Sequence, residues 1–557
     1  MKFSEMPYIR PDVAEVIAAG KELAEKVGGA KSAAEVLELH KKITGLYKNI
    51  YTQESLCYAR HTVNTKDEYY NGENDFFDES KPLFEKIAVD FYREMLASPF
   101  RAELEKALGE LWFINTEMKL KGFDEKIIED MQKENALCSK YTKLLASAIL
   151  DFDGKTVNLS QLRAYQLSPD REVRKAAYAK RTEFFTEHEA ELDMIYDELV
   201  KLRNGMAVKL GYKNYIELGY LQMKRNSYDA AAVSRFREQV KKSLVPFLEE
   251  LHERRRKDIS VDKLKFYDGD IFFADGNPVP KGTPDELFEA GKKMYGELSA
   301  ETLEFFGFML ENELFDILAK EGKAGGGYCT EFLDYDSPFI FANFNGTSED
   351  VDVLTHECGH AFACHMAKDV DVLEYRECTY DVAEIHSMSM EFFTGAWMRL
   401  FFAEDTEKFL YMQLASALDF LPYGCMVDEF QHIVYENPGM TPAERKEAWQ
   451  KLEGEYKPSI DYDGDPFFGK GGAWQRQSHI YERPFYYIDY CIAQTCALQY
   501  HKWMSDDRAA AWNSYVSLLK KAGTVKLTDL VREAGLKSPF DNDCIDSIIA
   551  GVKGKLV

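Results

Sequence analysis

Long amphipathic segments with few Pro or Gly residues run from Asp12 to about residue 255. In segments such as 33–50 and 84–108, apolar side chains recur at helical spacing on one side and charged side chains occupy the other. This pattern predicts stacked amphipathic helices and a mostly α fold. Because 557 residues exceed what one hydrophobic core usually organises, we expect several subdomains or one large helical body divided by a cleft.

Local signals mark where the helical pattern starts and stops. Ser168-Pro169-Asp170 predicts a helix start with Ser168 as the N-cap, and that helix should run to about residue 210. Gly325-Gly326-Gly327 begins an irregular stretch in which residues 338–344 predict a strand that ends at Asn345-Gly346. A small β element is therefore expected just before the segment that carries the most informative motif.

Composition excludes several classes of partner. Lys and Arg number 69 against 95 Asp and Glu, and the net charge of -26 repels phosphate backbones and anionic membrane surfaces. We therefore expect neither nucleic acid nor a membrane as a partner. The ten Cys residues form no CxxC pair and the N-terminus lacks the pattern of a secretory signal, which together predict reduced thiols and a cytoplasmic location.

Residues 351–365, VDVLTHECGHAFACH, contain an HExxH motif. On a helix, His356 and His360 share one face, so that both imidazoles can bind one metal ion. Glu357 can then lie beside the open coordination position as a general base. His is scarce, at 11 of 557 residues, so few chains of this length and composition would contain the motif by chance. We therefore predict one Zn²⁺ per chain.

Zinc needs a third protein ligand, and the immediate sequence does not supply it. The metzincin pattern requires Gly and His where this chain has Ala363 and Met366, so that class is excluded. His365 falls on a different helix face from His360, and we expect it to pack against its neighbours or to contact a metal ligand without binding the metal itself. The ligand must come from another segment.

The segment 381–393 predicts a helix with two carboxylates, Glu384 and Glu391, seven residues apart on an otherwise apolar face. A buried carboxylate needs a partner. Glu384 suits the third metal ligand, and Glu391 suits an acceptor for a ligand imidazole. The alternative is an exposed helix with two ordinary acids, and His386 remains unassigned.

At these residues the chain resembles the thimet oligopeptidase and oligoendopeptidase F family of zinc metallopeptidases, particularly its bacterial oligoendopeptidase F branch. The resemblance is carried by HECGHAF, AEIHSMSMEFF, GGGYCT at 325–330 and PFIFANFNGT at 338–347. It implies a gluzincin fold of two helical halves around a deep substrate channel, with a small β element beside the HExxH helix. It also implies that residues 1–200 form a channel wall, that residues 201–557 form the catalytic region, and that short unfolded oligopeptides are the substrates.

The segment 479–490, HIYERPFYYIDY, resembles the family's His and Tyr segment, which implies donors over the scissile carbonyl. A tetrahedral oxyanion is stabilised by donors fixed in advance. The pairs Tyr486 and Tyr490, or Tyr487 and Tyr490, would project together from a helix, so the register stays open. His479 and Tyr490 are the first candidates, and a tyrosine-rich core helix is the alternative.

Strand 338–344 is a candidate substrate-binding element, because an exposed strand edge can pair with the backbone of an extended peptide. Its candidate residues are Phe339, Ile340, Phe341, Ala342 and Asn343. We predict a zinc-dependent oligoendopeptidase. The alternatives are a zinc exopeptidase, for which a terminus-reading motif such as GxMEN is missing, and a catalytically dead peptide-binding protein, which should have lost Glu357 or the tyrosines.

Overall fold

The chain folds into helices with two small sheets, and the predicted mostly α fold is confirmed. The structure, a computed structural model, describes residues 1–557 apart from the side chain of Ala522. The helices of the first half are α1 (Val13–Gly29), α2 (Ala33–Val63), α3 (Glu68–Ala97), α4 (Arg101–Leu108), α5 (Glu110–Lys121), α6 (Ile128–Ala146), α7 (Leu159–Gln166), α8 (Arg171–Glu187), α9 (Glu189–Lys209), α10 (Tyr215–Gln222), α11 (Ala230–Gln239) and α12 (Val245–Asp258). Those of the second half are α13 (Pro284–Leu298), α14 (Ala300–Glu311), α15 (Glu349–Ala367), α16 (Tyr380–Phe393), α17 (Arg399–Phe402), α18 (Thr406–Glu436), α19 (Pro442–Tyr456), α20 (Ser478–Glu482), α21 (Tyr487–Lys521, kinked at Asp507), α22 (Leu527–Glu533) and α23 (Cys544–Leu556).

The helix predicted to start at Ser168 begins later and is divided. The N-cap of α8 is Asp170, whose carboxylate accepts the backbone N–H groups of Glu172 and Val173. A carboxylate satisfies these orphan donors and also favours the positive end of the helix dipole, so Asp170 prevails over Ser168. The helical run then breaks at His188, where α8 ends and α9 begins.

A three-stranded sheet lies beside α15. Its strands are β3 (Phe315–Leu318), β4 (Tyr328–Phe332) and β5 (Ser337–Phe344), and a separate hairpin pairs β1 (Leu150–Phe152) with β2 (Lys155–Val157). In the order β3-β5-β4, β5 is the central strand: it is parallel to β3 and antiparallel to β4. Both edges of β5 are thus occupied by the protein's own strands.

The position of β5 makes the prediction of substrate pairing along residues 339–343 wrong. Phe339, Ile340, Phe341 and Ala342 are fully buried, and the Asn343 amide donates to the carbonyls of Ala324 and Gly326. These residues fill the core and hold the glycine-rich loop. Within the described residues, β3 and β4 each have only one strand partner and are the two edge strands of the sheet.

Two hydrophobic cores organise the chain. The smaller core draws on residues between Val16 and Phe113 and on Tyr375 from the second half, whose hydroxyl donates to the carbonyl of Leu108 at 2.6 Å. The larger core takes in the rest, including α7, α8 and α9. The proposed boundary at residue 200 therefore stays a prediction, since the small core ends near residue 113. Among the described residues, no helix combines the length and apolar character needed to cross a lipid bilayer.

Candidate active site

The HExxH motif lies on α15, directly after β5. The turn between them is fixed by Asp350, whose carboxylate accepts the backbone N–H groups of Asn345 at 2.9 Å and Gly346 at 2.8 Å. One turn apart on the helix, the His356 and His360 rings have centroids separated by 5.0 Å. Both imidazoles are partly accessible to solvent and face α16. The strand therefore anchors the start of the helix that presents the two rings.

Gly359 lets α15 and α16 approach each other closely. A Cβ atom built on Gly359 would lie 2.5 Å from Ser387 Cα and 2.8 Å from the His386 carbonyl oxygen. No side chain larger than hydrogen fits there without separating the helices. The close approach brings the α16 carboxylates within reach of the α15 imidazoles.

Three side chains converge on one point between these helices. Glu384 Oε2 lies 3.3 Å from His356 Nε2 and 3.5 Å from His360 Nε2, and the Glu384 side chain is 1% exposed. One donor atom from each of the three residues lies within 4.8 Å of the others. The Ser387 hydroxyl donates to Glu384 Oε2 at 3.0 Å. The structure thus brings together all three residues predicted as metal ligands.

Glu391 contacts the far side of the His356 ring. His356 Nδ1 lies 2.7 Å from Glu391 Oε1, so that Nδ1–H donates to the carboxylate and Nε2 keeps its lone pair toward Glu384. A carboxylate in this position orients a ligand imidazole and raises its basicity. The arrangement is the one expected of Glu391 from the sequence.

Glu357 is buried beside the three converging residues. Its Oε2 atom has no hydrogen-bond partner among the described residues, and burial raises the pKa of the carboxyl group against the opposing effect of His356 and His360. The glycine-rich loop comes close: a Cβ atom on Gly327 would lie 3.2 Å from Glu357 Oε1. A buried carboxylate with a free oxygen and a raised pKa has the properties of a general base.

His479, on α20, is held between two polar groups. The Gln477 amide nitrogen lies 2.7 Å from Nδ1, and the Tyr490 hydroxyl lies 3.0 Å from Nε2. Tyr423 donates its hydroxyl proton to Gln477 Oε1 at 2.9 Å, which turns the amide nitrogen toward the ring. Nδ1 is therefore an acceptor and Nε2 carries the proton. Burial lowers the pKa of His479 to about 4, which keeps the ring neutral.

The structure separates the three candidate tyrosines at the start of α21. The Tyr486 hydroxyl donates to Glu384 Oε1, and the ring centroids of Tyr486 and Tyr490 are 4.9 Å apart. The Tyr487 ring instead packs 5.6 Å from Phe420 and 5.7 Å from Tyr423. Tyr486 and Tyr490 thus lie on the face that meets Glu384, and Tyr487 lies on the neighbouring face.

A buried network fixes the turn that enters α21. Phe485 has the positive φ value of 67°, its N–H donates to Gln431 Oε1 at 2.9 Å, and its carbonyl accepts from Arg225. Arg225 also pairs with Asp489 at 2.8 Å. Because a positive φ is costly for Phe, these contacts stabilise the strained turn that aims Tyr486 and Tyr490.

Sequence reasoning missed Gln477 and Gly359. Gln477 carried no spacing signal, because its importance depends on the fold of α20. Gly359 did carry one, since a Gly inside a strongly helical pattern usually has a packing reason.

Helix α2 packs against β4, the strand that follows the glycine-rich loop. The Tyr58 ring lies 5.3 Å from the ring of Tyr328 on β4, and the Thr62 hydroxyl is 2.6 Å from that of Tyr328. Tyr58 is 45% exposed, yet burial raises its pKa to about 12. Helix α2 and strand β4 thus contact each other directly through these side chains.

Comparisons with known proteins agree with this geometry. The sequence profile of peptidase family M3 matches residues 164–275 and 301–549, and that of the peptidase M3 N-terminal domain matches residues 3–123. The chain is 23% identical to the oligopeptidase PepF of Bacillus subtilis strain 168 over 440 residues, which cover 73% of this chain and 62% of that protein. It is 22% identical to an oligoendopeptidase F homolog of Borreliella burgdorferi, with 77% of this chain and 75% of that protein covered.

Solved structures match over the whole chain. A PZ peptidase A determined with an inhibitor is 50% identical, with a TM-score of 0.99 over 100% of this chain and 99% of that chain. A protein described as an oligoendopeptidase F from Bacillus anthracis strain Ames is 46% identical, with a TM-score of 0.94 over 100% and 98% of the two chains. The chain therefore shares its whole architecture with these two solved peptidases.

Proposed function

The chain belongs to peptidase family M3 and is a metallopeptidase, and we propose that it is a zinc-dependent oligoendopeptidase that cleaves internal bonds of short unfolded peptides. The observation that carries the proposal is the convergence of His356, His360 and Glu384 next to the unpartnered oxygen of Glu357. We expect it to work on oligopeptides in the cytoplasm.

The donor set fits zinc. Two imidazole nitrogens and one carboxylate oxygen, from HExxH and the following helix, form the protein ligand set of many catalytic zinc sites. Because His356 Nδ1–H donates a hydrogen bond to Glu391, the Nε2 lone pair faces the Glu384 carboxylate, and a cation between the two would stabilise this arrangement. When bound, zinc would act as a Lewis acid that acidifies water and polarises the scissile carbonyl.

Glu357 would move the proton. Its raised pKa favours proton uptake at the free Oε2 atom as water attacks the peptide carbon. The protonated carboxyl group can then deliver that proton to the departing amine. Gly327, which has no side chain, lies beside the other carboxylate oxygen, Oε1.

Tyr490 and His479 would stabilise the developing oxyanion. Because His479 Nε2–H donates to the Tyr490 oxygen, the Tyr490 hydroxyl proton is free to point at the substrate carbonyl. Tyr486 has a different task, since its hydroxyl is committed to Glu384 and fixes that carboxylate. Gln477 acts indirectly by holding His479 in the required tautomer.

The substrate backbone would pair with the edge strand β4, in place of the β5 residues suggested by the sequence. Of the two edge strands, β4 starts directly after Gly327, which lies beside Glu357. The descriptions of this chain's relatives as oligopeptidases and oligoendopeptidases support a restriction to short peptides that can enter as extended chains. The proposed division into a wall-forming region, 1–200, and a catalytic region, 201–557, remains part of this proposal.

The test is a digest of internally quenched peptides whose two termini are blocked. We expect cleavage at internal bonds by the zinc-loaded protein and none by Glu357→Gln. If only peptides with a free terminus are cut, one residue or dipeptide at a time, the protein is an exopeptidase and the proposal of internal cleavage is wrong.

A further inference from the structure

Two cations approach the Tyr423 ring, close to the candidate active site, and a third cation is nearby. Arg476 Cζ and Lys457 Nζ each lie 5.7 Å from the centroid of the Tyr423 ring. Arg181 is close enough to Arg476 for the two charges to repel each other, which contributes to the lowered pKa of Arg181. Its Nη1 donates to Gln166 Oε1 at 3.4 Å, and its Nε atom has no partner among the described residues. We call Arg181, Lys457 and Arg476 the cation cluster.

The cation cluster has no ion pair with any described residue within 4.0 Å, in a chain whose net charge is -26. The neighbouring acids serve other groups: Asp270 pairs with Arg163 at 2.6 Å, and Asp419 is 2.6 Å from His252. Glu453 accepts from Trp449 at 2.7 Å. Enclosed cations are usually paired, since desolvation makes an uncompensated charge costly.

The cation cluster is accessible to solvent and is also partly desolvated by the protein around it. Arg476 is exposed, and Arg181 and Lys457 are partly exposed. Nevertheless, burial and then the nearby Arg476 lower the pKa of Arg181 to about 10, and burial lowers the pKa of Lys457. An anion that reaches the cation cluster can therefore form charge-assisted hydrogen bonds with cations that no carboxylate of the protein already pairs.

A short chain of contacts joins the cluster to the catalytic groups. Tyr423, which both Arg476 and Lys457 approach, donates to Gln477, and Gln477 contacts His479 at 2.7 Å. The Tyr423 ring also packs against Tyr487 at the start of α21. Extended peptide advances roughly 3.3 Å per residue, so the cluster lies within about a few residues of a bond cleaved beside His479.

We propose that Arg181, Lys457 and Arg476 form a subsite that binds a carboxylate of the peptide substrate. The carboxylate is either the C-terminal one or that of an acidic side chain a few residues from the cleaved bond. This inference rests on the proposed peptidase function. The subsite selects peptides by charge, whereas the metal ligands and Glu357 act on any peptide bond.

The experiment compares matched peptides that differ by one negative charge. One pair has the same sequence with a C-terminal carboxylate or carboxamide, and a second series places Glu or Gln at each position around the cleaved bond. We would measure kcat/KM with the zinc-loaded protein, and Kd by calorimetry in the Glu357→Gln background. The charged-to-uncharged ratio is the readout, so a general loss of activity cancels.

The variants are Arg476→Gln and Lys457→Met, with Lys451→Met as the matched control. Lys451 is an exposed lysine on α19, which ends next to Lys457. We expect each cluster variant to lower the charged-to-uncharged ratio by about 10-fold to 100-fold, the effect of losing one hydrogen bond to a charged group. Lys451→Met should leave the ratio within about twofold, because exposed charges contribute little.

A change confined to the carboxylate and carboxamide pair identifies the terminus as the ligand, and a change at one Glu position identifies a side chain. Equal ratios in the wild-type protein and both variants would overturn the subsite. So would an equal effect of Lys451→Met, which would indicate nonspecific attraction. If the wild-type protein cleaves no peptide, the proposed function fails, whereas the Kd ratios still decide the subsite.

Discussion

Replacing Gly359 by Ala should separate the two helices that hold the metal ligands. The new Cβ atom would lie 2.5 Å from Ser387 Cα, whereas carbon atoms pack at about 3.5–4.0 Å, so the helices must move apart by about 1 Å. Such overpacking costs about 1–3 kcal/mol, which equals or exceeds the ~1 kcal/mol by which Ala stabilises a helix relative to Gly.

The consequence for metal binding is larger than that for folding. Metal–ligand distances tolerate about 0.2 Å, so a shift of about 1 Å between α15 and α16 cannot be absorbed by the ligands alone. We expect zinc affinity to fall by at least about 10-fold to 100-fold, the range reached when an outer partner of a ligand is lost. Peptidase activity at limiting zinc should fall in parallel.

The assay combines thermal unfolding, zinc affinity and peptide hydrolysis. Gly454→Ala is the matched control: it is on α19, and a Cβ atom there would meet nothing within 4 Å. It should leave zinc affinity unchanged and raise the melting temperature slightly, as expected for Ala in an exposed helix. A Gly359→Ala protein with wild-type zinc affinity and activity would refute the idea that helix contact at this residue sets the site.

Three further outcomes follow from the site. Glu357→Gln should keep the metal and the fold but lose hydrolysis, because an amide cannot take up the proton. Metal analysis and peptide assays check this, and near wild-type turnover would show that the base is another group. Tyr490→Phe should lower kcat by about 100-fold to 1,000-fold with little change in KM, while Tyr487→Phe should change kcat only slightly. Steady-state kinetics with the reverse ranking would contradict the assigned helix faces. Unfolded peptides should be cut and stable folded domains spared, so mass spectrometry that finds rapid cleavage within a folded domain would contradict the proposed restriction to short peptides.

The parts of the fold that depend on local periodicity were predictable from the sequence. The helical pattern, the HExxH helix and the strand before it all depend on neighbours within a few residues. Glu384 was also accessible to such reasoning, because a carboxylate on an apolar helix face requires a partner and the two histidines lacked a third ligand.

Strand order was not predictable, because it depends on contacts between distant segments. The expectation that β5 binds substrate failed when residues 315–318 and 328–332 occupied both of its edges. The sequence did contain a warning: Phe339 to Ala342 is a continuous apolar run, which is typical of a strand buried on both faces. An edge strand with one wet face would alternate.

The oxyanion register was similarly left open because helix spacing alone permits both tyrosine pairs. The start of α21 is set by the strained Phe485 turn and its contacts with Arg225 and Gln431, which no local pattern reveals. Once that start is fixed, Tyr486 and Tyr490 share the face toward Glu384. The role of Gln477 likewise depends on Tyr423, 54 residues earlier in the chain.

Reconstitution with zinc tests the central proposal most directly. The protein would be stripped with a chelator and titrated with zinc while peptide hydrolysis is followed and bound metal is measured by elemental analysis. We predict that activity is absent in the stripped protein and rises linearly to a plateau at one zinc per chain, because His356, His360 and Glu384 form a single set of ligands. Full hydrolysis by protein that contains no metal would contradict the account. So would Ala variants of these three residues that still reach the wild-type activity plateau on addition of zinc.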